Sequence, residues 1–314
     1  MTWQPGLLPD QPDRTYVITG GNAGLGYFTA EQLASTGAHV VLAARDSQRA
    51  DAAARSLRAF VPGASVDTIP LDLSSLASVR EAGARLGDYD RIDGLVLNAG
   101  ITSGSHRRQL TDDGFETTFQ VNYLGHFALT ALAWPALART ADAHAAGSRV
   151  VGLGSIATTL VRLAPDDLQT AGRYDFFRAY ALSKHAVHGF ILELDRRARL
   201  AGVPVAAVLA HPGFSLDGLS TFRPGVMEPT PLEKVRDRAL FAGAQGKNRG
   251  AAPIVRALLD PEVVGGEYVG PEFVVKGRPV LQQPVASSAA PEFGGLLWAM
   301  SEDWAGVEFN PLAG

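Results

Sequence analysis

A doubly wound α/β fold, one seven-stranded parallel sheet with helices on both faces, is what the 314-residue sequence predicts. Three observations carry that reading. Short β-branched or apolar runs alternate with longer helical stretches. Glycines cluster where the first run ends, and later runs end in Asn98, Ser155 and Pro212-Gly213, which would all lie along one sheet edge. With 46% hydrophobic and 19% charged residues the chain can bury a large core, so a single domain over 1–314 is expected.

Composition also excludes. A net charge of -4 argues against nucleic acid as a partner. The absence of cysteine removes disulfides, thiolate metal sites and a cysteine nucleophile. No stretch approaches the ~18 uninterrupted apolar residues of a membrane span. Residues 1–13, with Pro5, Pro9 and Pro12 and no basic start, read as an extended leader on the surface, not a secretory signal. A soluble, cytoplasmic protein is expected, and no carboxylate cluster joins the histidines to suggest a metal site.

In chain order, Tyr16-Val17-Ile18-Thr19 reads as a buried strand ending at Gly20-Gly21. Gly24 and Gly26 follow, then a helix over 25–36 closed by Gly37. Strand, glycine turn and helix in that order make a phosphate-binding corner, because glycines let backbone N–H groups approach a pyrophosphate at a helix N-terminus. The alternative is a turn whose glycines only let strand and helix pack.

His39-Val40-Val41-Leu42-Ala43 is the second strand, and Arg45 follows at its carboxyl end, where a dinucleotide's adenosine ribose belongs. A guanidinium and no acid suits a 2′-phosphate, hence NADP(H) over NAD(H). Otherwise Arg45, with Arg49, Arg55 and Arg58, coats a solvated helix. Residues 65–70 form the third strand. Asp72 after it could accept from an adenine amino group, cap the helix over 75–86, or do both. Gly94-Leu95-Val96-Leu97 ends in Asn98-Ala99-Gly100, small enough for a cofactor to lie against backbone.

A helical region spans 112–139, interrupted by Pro135; the fifth strand, Val150 to Leu153, ends at Gly154-Ser155. Tyr180-Ala181-Leu182-Ser183-Lys184 opens an amphipathic helix whose apolar positions are Ala186, Val187, Phe190, Ile191 and Leu194. Tyr180 and Lys184 share a face at i and i+4, so the ammonium is expected to lower the phenol pKa from ~10 and equip it for proton transfer. By chance, such pairs also occur on solvated helices. Val205 to Leu209 is the sixth strand, ending in His211-Pro212-Gly213. Residues 214–250, rich in proline, glycine and cations, read as a substrate lid. A helix over 251–259, a seventh strand at Glu267-Tyr268-Val269 and an extended tail from 278 follow. The tail ends in Phe293, Leu296, Leu297, Trp298 and Trp304, read as a helix docked on the core. His126 and His211 read as structural, His185 and His188 as surface or interface residues.

Taken together, Thr19-Gly20-x-x-x-Gly24-x-Gly26, Asp72, Asn98-Ala99-Gly100, Asn122, Ser155, Tyr180-x-x-x-Lys184 and Pro212-Gly213 resemble, in order, the motifs of the short-chain dehydrogenase/reductase family. The glycine spacing resembles its non-extended branch. Asp113-Gly114-Phe115-Glu116, Val121-Asn122-Tyr123-Leu124-Gly125-His126-Phe127 and the 25 residues from Ser155 to Tyr180 resemble its retinol dehydrogenase and protochlorophyllide reductase-like group. The resemblance implies a Rossmann-type fold and hydride transfer between nicotinamide and a carbonyl or alcohol. It implies Tyr180 as general acid or base, Lys184 on the nicotinamide ribose, Ser155 on the substrate oxygen and Asn122 on a proton-relay water. Cofactor contacts would come from Thr19, Gly20, Asn22, Gly24, Leu25, Gly26, Arg45, Asp72, Leu73, Asn98, Ala99, Gly100, Tyr180, Lys184, Pro212, Gly213 and Ser215.

Few ionic groups are expected at the substrate end, where Ser155, Ile156, Leu160 and Phe214 are candidates for a hydrophobic small molecule. A homodimer or homotetramer through the 112–139 and 180–200 helices is a further implication. Two departures stand out. Asp217 lies near the place of the family's usual threonine after Pro-Gly, with Ser215 a possible substitute, and His185-Ala186-Val187 replaces the group's usual leucine-alanine-asparagine. The competing class is a nucleotide-binding sensor without turnover; the presence of Asn122, Ser155, Tyr180 and Lys184 together favours the enzyme.

Overall fold

The computed structural model describes residues 3–4 and 6–311; positions 1, 2 and 5 of the leader and 312–314 of the tail lie outside the described residues. Strands β1 (Thr15–Thr19), β2 (His39–Ala44) and β3 (Ser65–Pro70) alternate with helices α1 (Gly24–Ala34), α2 (Ser47–Phe60) and α3 (Leu76–Gly87). β4 (Gly94–Leu97) leads through a short helix α4 (Thr117–Phe119) and a π-helical turn (Gln120–Leu124) into α5 (Gly125–Ala143). β5 (Ser148–Leu153), α6 (Phe176–Ala201) and β6 (Val205–Ala210) complete the alternation. Beyond these come β7 (Ser215–Leu216), α7 (Pro231–Ala239), β8 (Gln245–Gly246), α8 (Lys247–Gly250) and α9 (Ala252–Leu259). Last are β9 (Tyr268–Pro271), β10 (Pro279–Gln282), α10 (Ala286–Ala289) and α11 (Pro291–Ala305).

The main sheet runs β10-β9-β6-β5-β4-β1-β2-β3 and is parallel except for β10. β1 and β4 are buried at every residue, as strands covered on both faces must be, and this is why they read as unbroken apolar runs. The strand order reverses between β1 and β4, so the crevice at their carboxyl ends is where a ligand sits. The sheet has eight strands, not seven. Pro279–Gln282, read as plain extended tail, pairs antiparallel with β9 in the register Val280 to Gly270 and Leu281 to Val269. Pro279 is tolerated because it begins an edge strand, where no ladder N–H is needed.

Other boundaries moved for local reasons. The helix expected from 112 starts at Thr117, where the Glu116 carboxylate accepts from the Phe119 N–H at 2.7 Å. Pro135 sits inside α5 without ending it. Ser75, not Asp72, caps α3, and Asp72 instead turns back on the Ser74 N–H at 2.9 Å.

The tail encloses the larger core. Trp298 packs edge-on against Phe127 with ring centroids 5.4 Å apart and tilted against Phe190 at 5.8 Å, so α11 lies on α5 and α6. A dimer built through those two helices would have to accommodate α11 as well. His185 and His188 are fully buried rather than on the surface. The cover explains it: α10 supplies Ser288, whose hydroxyl meets His185 Nδ1 at 2.6 Å, and β9 supplies Tyr268, whose ring stands edge-on to His188. Among the described residues no helix is long and apolar enough to cross a membrane.

Phe127 touches four aromatic rings at zero exposure. Phe127→Ala should therefore cost about 3–5 kcal/mol in urea unfolding. Leu200→Ala, at a side chain 70% exposed, should stay within about 0.5 kcal/mol. Equal losses at the two positions would contradict this core.

Candidate active site

One cleft of about 1100 Å³ opens along the carboxyl edge of the sheet. Its floor begins at the β1–α1 turn. Gly20 (φ +65°) and Gly24 (φ +56°) take left-handed backbone that L side chains rarely adopt, and a Cβ on Gly26 would sit 2.4 Å from the Gly20 carbonyl oxygen. Ala23, the cap of α1, offers no side-chain acceptor, so the first N–H groups of the helix are left to the cleft.

Behind that turn Thr19 ties two strands together. Its Oγ1 accepts from the backbone N–H groups of Asn98 and Ala99, both at 2.9 Å, and lies 2.9 Å from His126 Nε2. Burial drives the His126 pKa down to about 4, so the ring is neutral. Its Nδ1 faces the Asn122 carbonyl at 3.1 Å and must carry the proton, which leaves Nε2 to accept from the Thr19 hydroxyl. Asn98 Nδ2 closes the corner by donating to the Thr19 carbonyl at 2.7 Å.

Asn122 sits in the π-helical turn, a local irregularity frequent at functional sites. Its Oδ1 accepts from the Ile101 N–H at 2.7 Å and its Nδ2 donates to Ser183 Oγ at 3.0 Å. The π turn is thereby tied to α6. Ser155, two residues past the end of β5, is in extended backbone and accepts from the Ala157 N–H at 3.1 Å. α6 is started by Asp175, whose carboxylate accepts from the Arg178 N–H at 3.0 Å, and so brings Tyr180 to the rim and Lys184 one turn inward.

The electrostatics are set by burial. It raises the Tyr180 pKa above its ordinary 10, and the hydrogen bond to the Ser155 hydroxyl pulls the other way. Lys184 is pushed down to about 8, and its Nζ donates to the Leu153 carbonyl at 2.8 Å. The expected lowering of Tyr180 by Lys184 is therefore not what this structure has. The ammonium is spent on a carbonyl and stands 5.8 Å from the ring centroid, and desolvation of the phenol wins.

Of the residues singled out in the sequence, Gly20, Asn22, Gly24, Leu25, Arg45, Asp72, Leu73, Asn98, Ala99, Gly100, Ser155, Ile156, Leu160, Tyr180, Pro212, Gly213, Phe214 and Ser215 all line this one cleft. Thr19, Gly26, Asn122 and Lys184 do not line it; they are buried behind its wall. The cleft also takes in Phe176 and Phe177 at the start of α6, to which the sequence did not point, and Arg236 on α7 and Lys247 at the start of α8, both within the 214–250 segment expected as a lid. Two aromatic residues opening a helix were a readable signal. Lys247 follows a two-residue strand with no periodicity of its own, so nothing local marks it.

The comparisons agree with one another. A model of the short chain dehydrogenase family matches residues 14–216. The polyprenol dehydrogenase of Mus musculus is 36% identical over 95% of this chain and 85% of its own length. Retinol dehydrogenase 13 of Homo sapiens is 40% identical over 65% of this chain, and the match spans 60% of that protein. Among solved structures, an uncharacterised protein from Mycobacterium paratuberculosis aligns over 98% of both chains, with 34% identity and a TM-score of 0.78. A Pseudomonas aeruginosa RhlG/NADP active-site complex aligns over 83% of this chain and 95% of its own, with 26% identity and a TM-score of 0.62.

Because the Tyr180 pKa is raised, its phenol stays protonated through neutrality and should ionise only above pH 10 in the nucleotide-free protein. The ultraviolet phenolate difference between wild type and Tyr180→Phe should show that step. Ser155→Ala, which removes the opposing hydrogen bond, should move it higher. A step below pH 10 would contradict the site described here.

Proposed function

Because the chain belongs to the short-chain dehydrogenase family and is an oxidoreductase of it, we propose that it transfers a hydride between NADP(H) and the carbonyl or alcohol carbon of a small apolar molecule. The single observation that carries the proposal is convergence. The glycine turn, Arg45, Ser155 and Tyr180 line one cleft, with Lys184 buried one helical turn behind the phenol.

The residues present fit a dinucleotide. Left-handed Gly20 and Gly24, with the uncapped N-terminus of α1, make a cradle for a pyrophosphate. Asn98, Ala99 and Gly100 offer a flat wall for the nicotinamide half, and Asp72 and Leu73 line the adenine end. When bound, the nicotinamide would supply or accept the hydride.

What the chain itself would do is hold the oxygen and the proton. Ser155 donates a hydrogen bond to the substrate oxygen as negative charge develops there. Tyr180 delivers the proton in carbonyl reduction and removes it in alcohol oxidation. A phenol kept protonated by burial starts from the form that reduction uses. Lys184 would hold the ribose hydroxyls, giving up its bond to the Leu153 carbonyl, and Asn122 would orient a relay water.

NADP(H) is favoured because Arg45 and Arg49 both stand on the cleft wall after β2, while the neighbouring Asp46 carboxylate is occupied by the Arg49 N–H as the cap of α2. An apolar substrate is favoured by Ile101, Ile156, Leu160, Phe176, Phe177 and Phe214 around the opening. Relatives named for a polyprenol and for retinol, both apolar alcohols, point the same way. The 214–250 segment, which contributes Phe214 and Arg236 to the same wall, is proposed as the substrate lid.

Two measurements test this reading. Arg45→Ala should weaken NADPH about 10- to 100-fold and leave NADH nearly unchanged, since one charge-assisted contact to a 2′-phosphate is worth about 1.5–3 kcal/mol. An unaltered NADPH-to-NADH ratio would remove Arg45 from the cofactor assignment. Against a panel of apolar aldehydes, ketones and alcohols, Tyr180→Phe should lower kcat by at least about 100-fold. NADPH binding with no turnover of any substrate, and no effect of Tyr180→Phe, would make the protein a sensor instead.

A further inference from the structure

The pyrophosphate end of the cleft holds a cation that the phosphate turn itself does not supply. Lys247, the first residue of α8, reaches across to α1: a Cβ built on Gly24 would lie 3.4 Å from its Nζ and 3.5 Å from its Cδ. Its ammonium is therefore seated against the left-handed glycine that opens the phosphate turn, beside the free N–H groups of α1. The partner it has there is Asp217, whose Oδ1 lies 2.6 Å from Nζ. The two make a contact ion pair rather than an aligned hydrogen bond, since the same oxygen has no partner of hydrogen-bonding geometry. Both residues line the cleft.

The position of Lys247 is built rather than accidental. β7 and β8 pair Ser215 with Gln245 and Leu216 with Gly246, which brings the chain back beside the end of β6. The Lys247 N–H donates to Ser220 Oγ at 2.8 Å, and Gln32 on α1 donates to the Asn248 carbonyl at 3.1 Å. A Cβ on Gly250 would lie 3.0 Å from Leu25 Cδ2, so α8 rests directly on the first turn of α1. The backbone is held to the phosphate turn from both sides, and only the long side chain is free to choose its anion.

We propose that Lys247 binds the pyrophosphate of the dinucleotide and that Asp217 is the internal anion it gives up to do so. This rests on the dinucleotide reading above. A pyrophosphate entering at Gly24 brings negative charge within reach of Nζ, reinforced by the positive end of α1, whereas a carboxylate at the same spot repels it. Asp217 therefore neutralises the cation in the empty cleft and competes with the nucleotide in the filled one. Its place in the sequence also gains a purpose, because Asp217 and Lys247 stand at the two ends of the 214–250 segment. Transfer of the ammonium from one anion to the other removes that side-chain tie when nucleotide is bound, while the β7–β8 pairing still holds the ends together.

The two partners must then act with opposite sign. Titrated with NADPH and followed by calorimetry, Lys247→Ala should bind about tenfold more weakly than wild type and Asp217→Asn several-fold more tightly. Lys247→Arg should bind near the wild-type level. Adenosine 2′-monophosphate, which lacks the pyrophosphate, should bind equally to wild type and Lys247→Ala. If the pair only braces the fold, both Lys247→Ala and Asp217→Asn will weaken NADPH and lower the nucleotide-free Tm together, and the proposal fails. It fails too if NADPH affinity is unchanged in Lys247→Ala. A wild-type protein that binds neither NADPH nor NADH would instead overturn the dinucleotide reading on which the proposal stands.

Discussion

The site depends on one buried hydroxyl. Thr19 closes β1, and its Oγ1 takes the N–H groups of Asn98 and Ala99 at the end of β4, so the two strands that flank the reversal of the sheet end at a fixed separation. A β-branched side chain suits this, since it has few rotamers to lose. The same hydroxyl donates to a histidine that burial keeps neutral, and that histidine donates to the Asn122 carbonyl in the π turn. Strand end, glycine turn and Asn122 are thus parts of a single hydrogen-bonded unit with no charge in it. Each of these bonds contributes about 0.5–1.5 kcal/mol, which favours one closed arrangement over looser ones.

This explains which parts of the molecule were legible in the sequence. The central parallel strands were, because burial on both faces leaves no room for polar alternation. So was the corner at Gly20 and Gly24, where only glycine takes the backbone without strain, and so was the i, i+4 relation of Tyr180 and Lys184. What escaped was whatever depends on a distant segment laid on top. β10 exists only because β9 offers an edge. His185 and His188 looked like surface residues until Ser288 and Tyr268 came down on them. Lys247 has no local signature at all, since its meaning comes from Gly24, more than two hundred residues earlier in the chain.

The electrostatic reading changed for the same kind of reason. Spacing places Lys184 on the same face as Tyr180, and in water that proximity would favour the phenolate. In the fold, the lysine is buried and donates to the carbonyl of Leu153, the last residue of β5, while the phenol loses more solvation than the Ser155 hydroxyl returns. Burial therefore acts on both members of the pair toward neutrality, holding the phenol protonated and pushing the ammonium down to about 8. The pair is set by what surrounds it before it is set by itself.

Helix α6 is where these constraints meet, because its two sides answer to different parts of the chain. Toward the cleft it presents Tyr180 and, one turn in, Lys184, anchored by Ser183 and Asn122 to the π turn. Toward the tail it carries Gly189, where a Cβ would lie 2.6 Å from the Phe293 ring, and Phe190, against which Trp298 packs. Only a glycine lets α11 approach this closely. α11 thereby packs on the side of α6 away from the cleft, and none of its residues line the cleft.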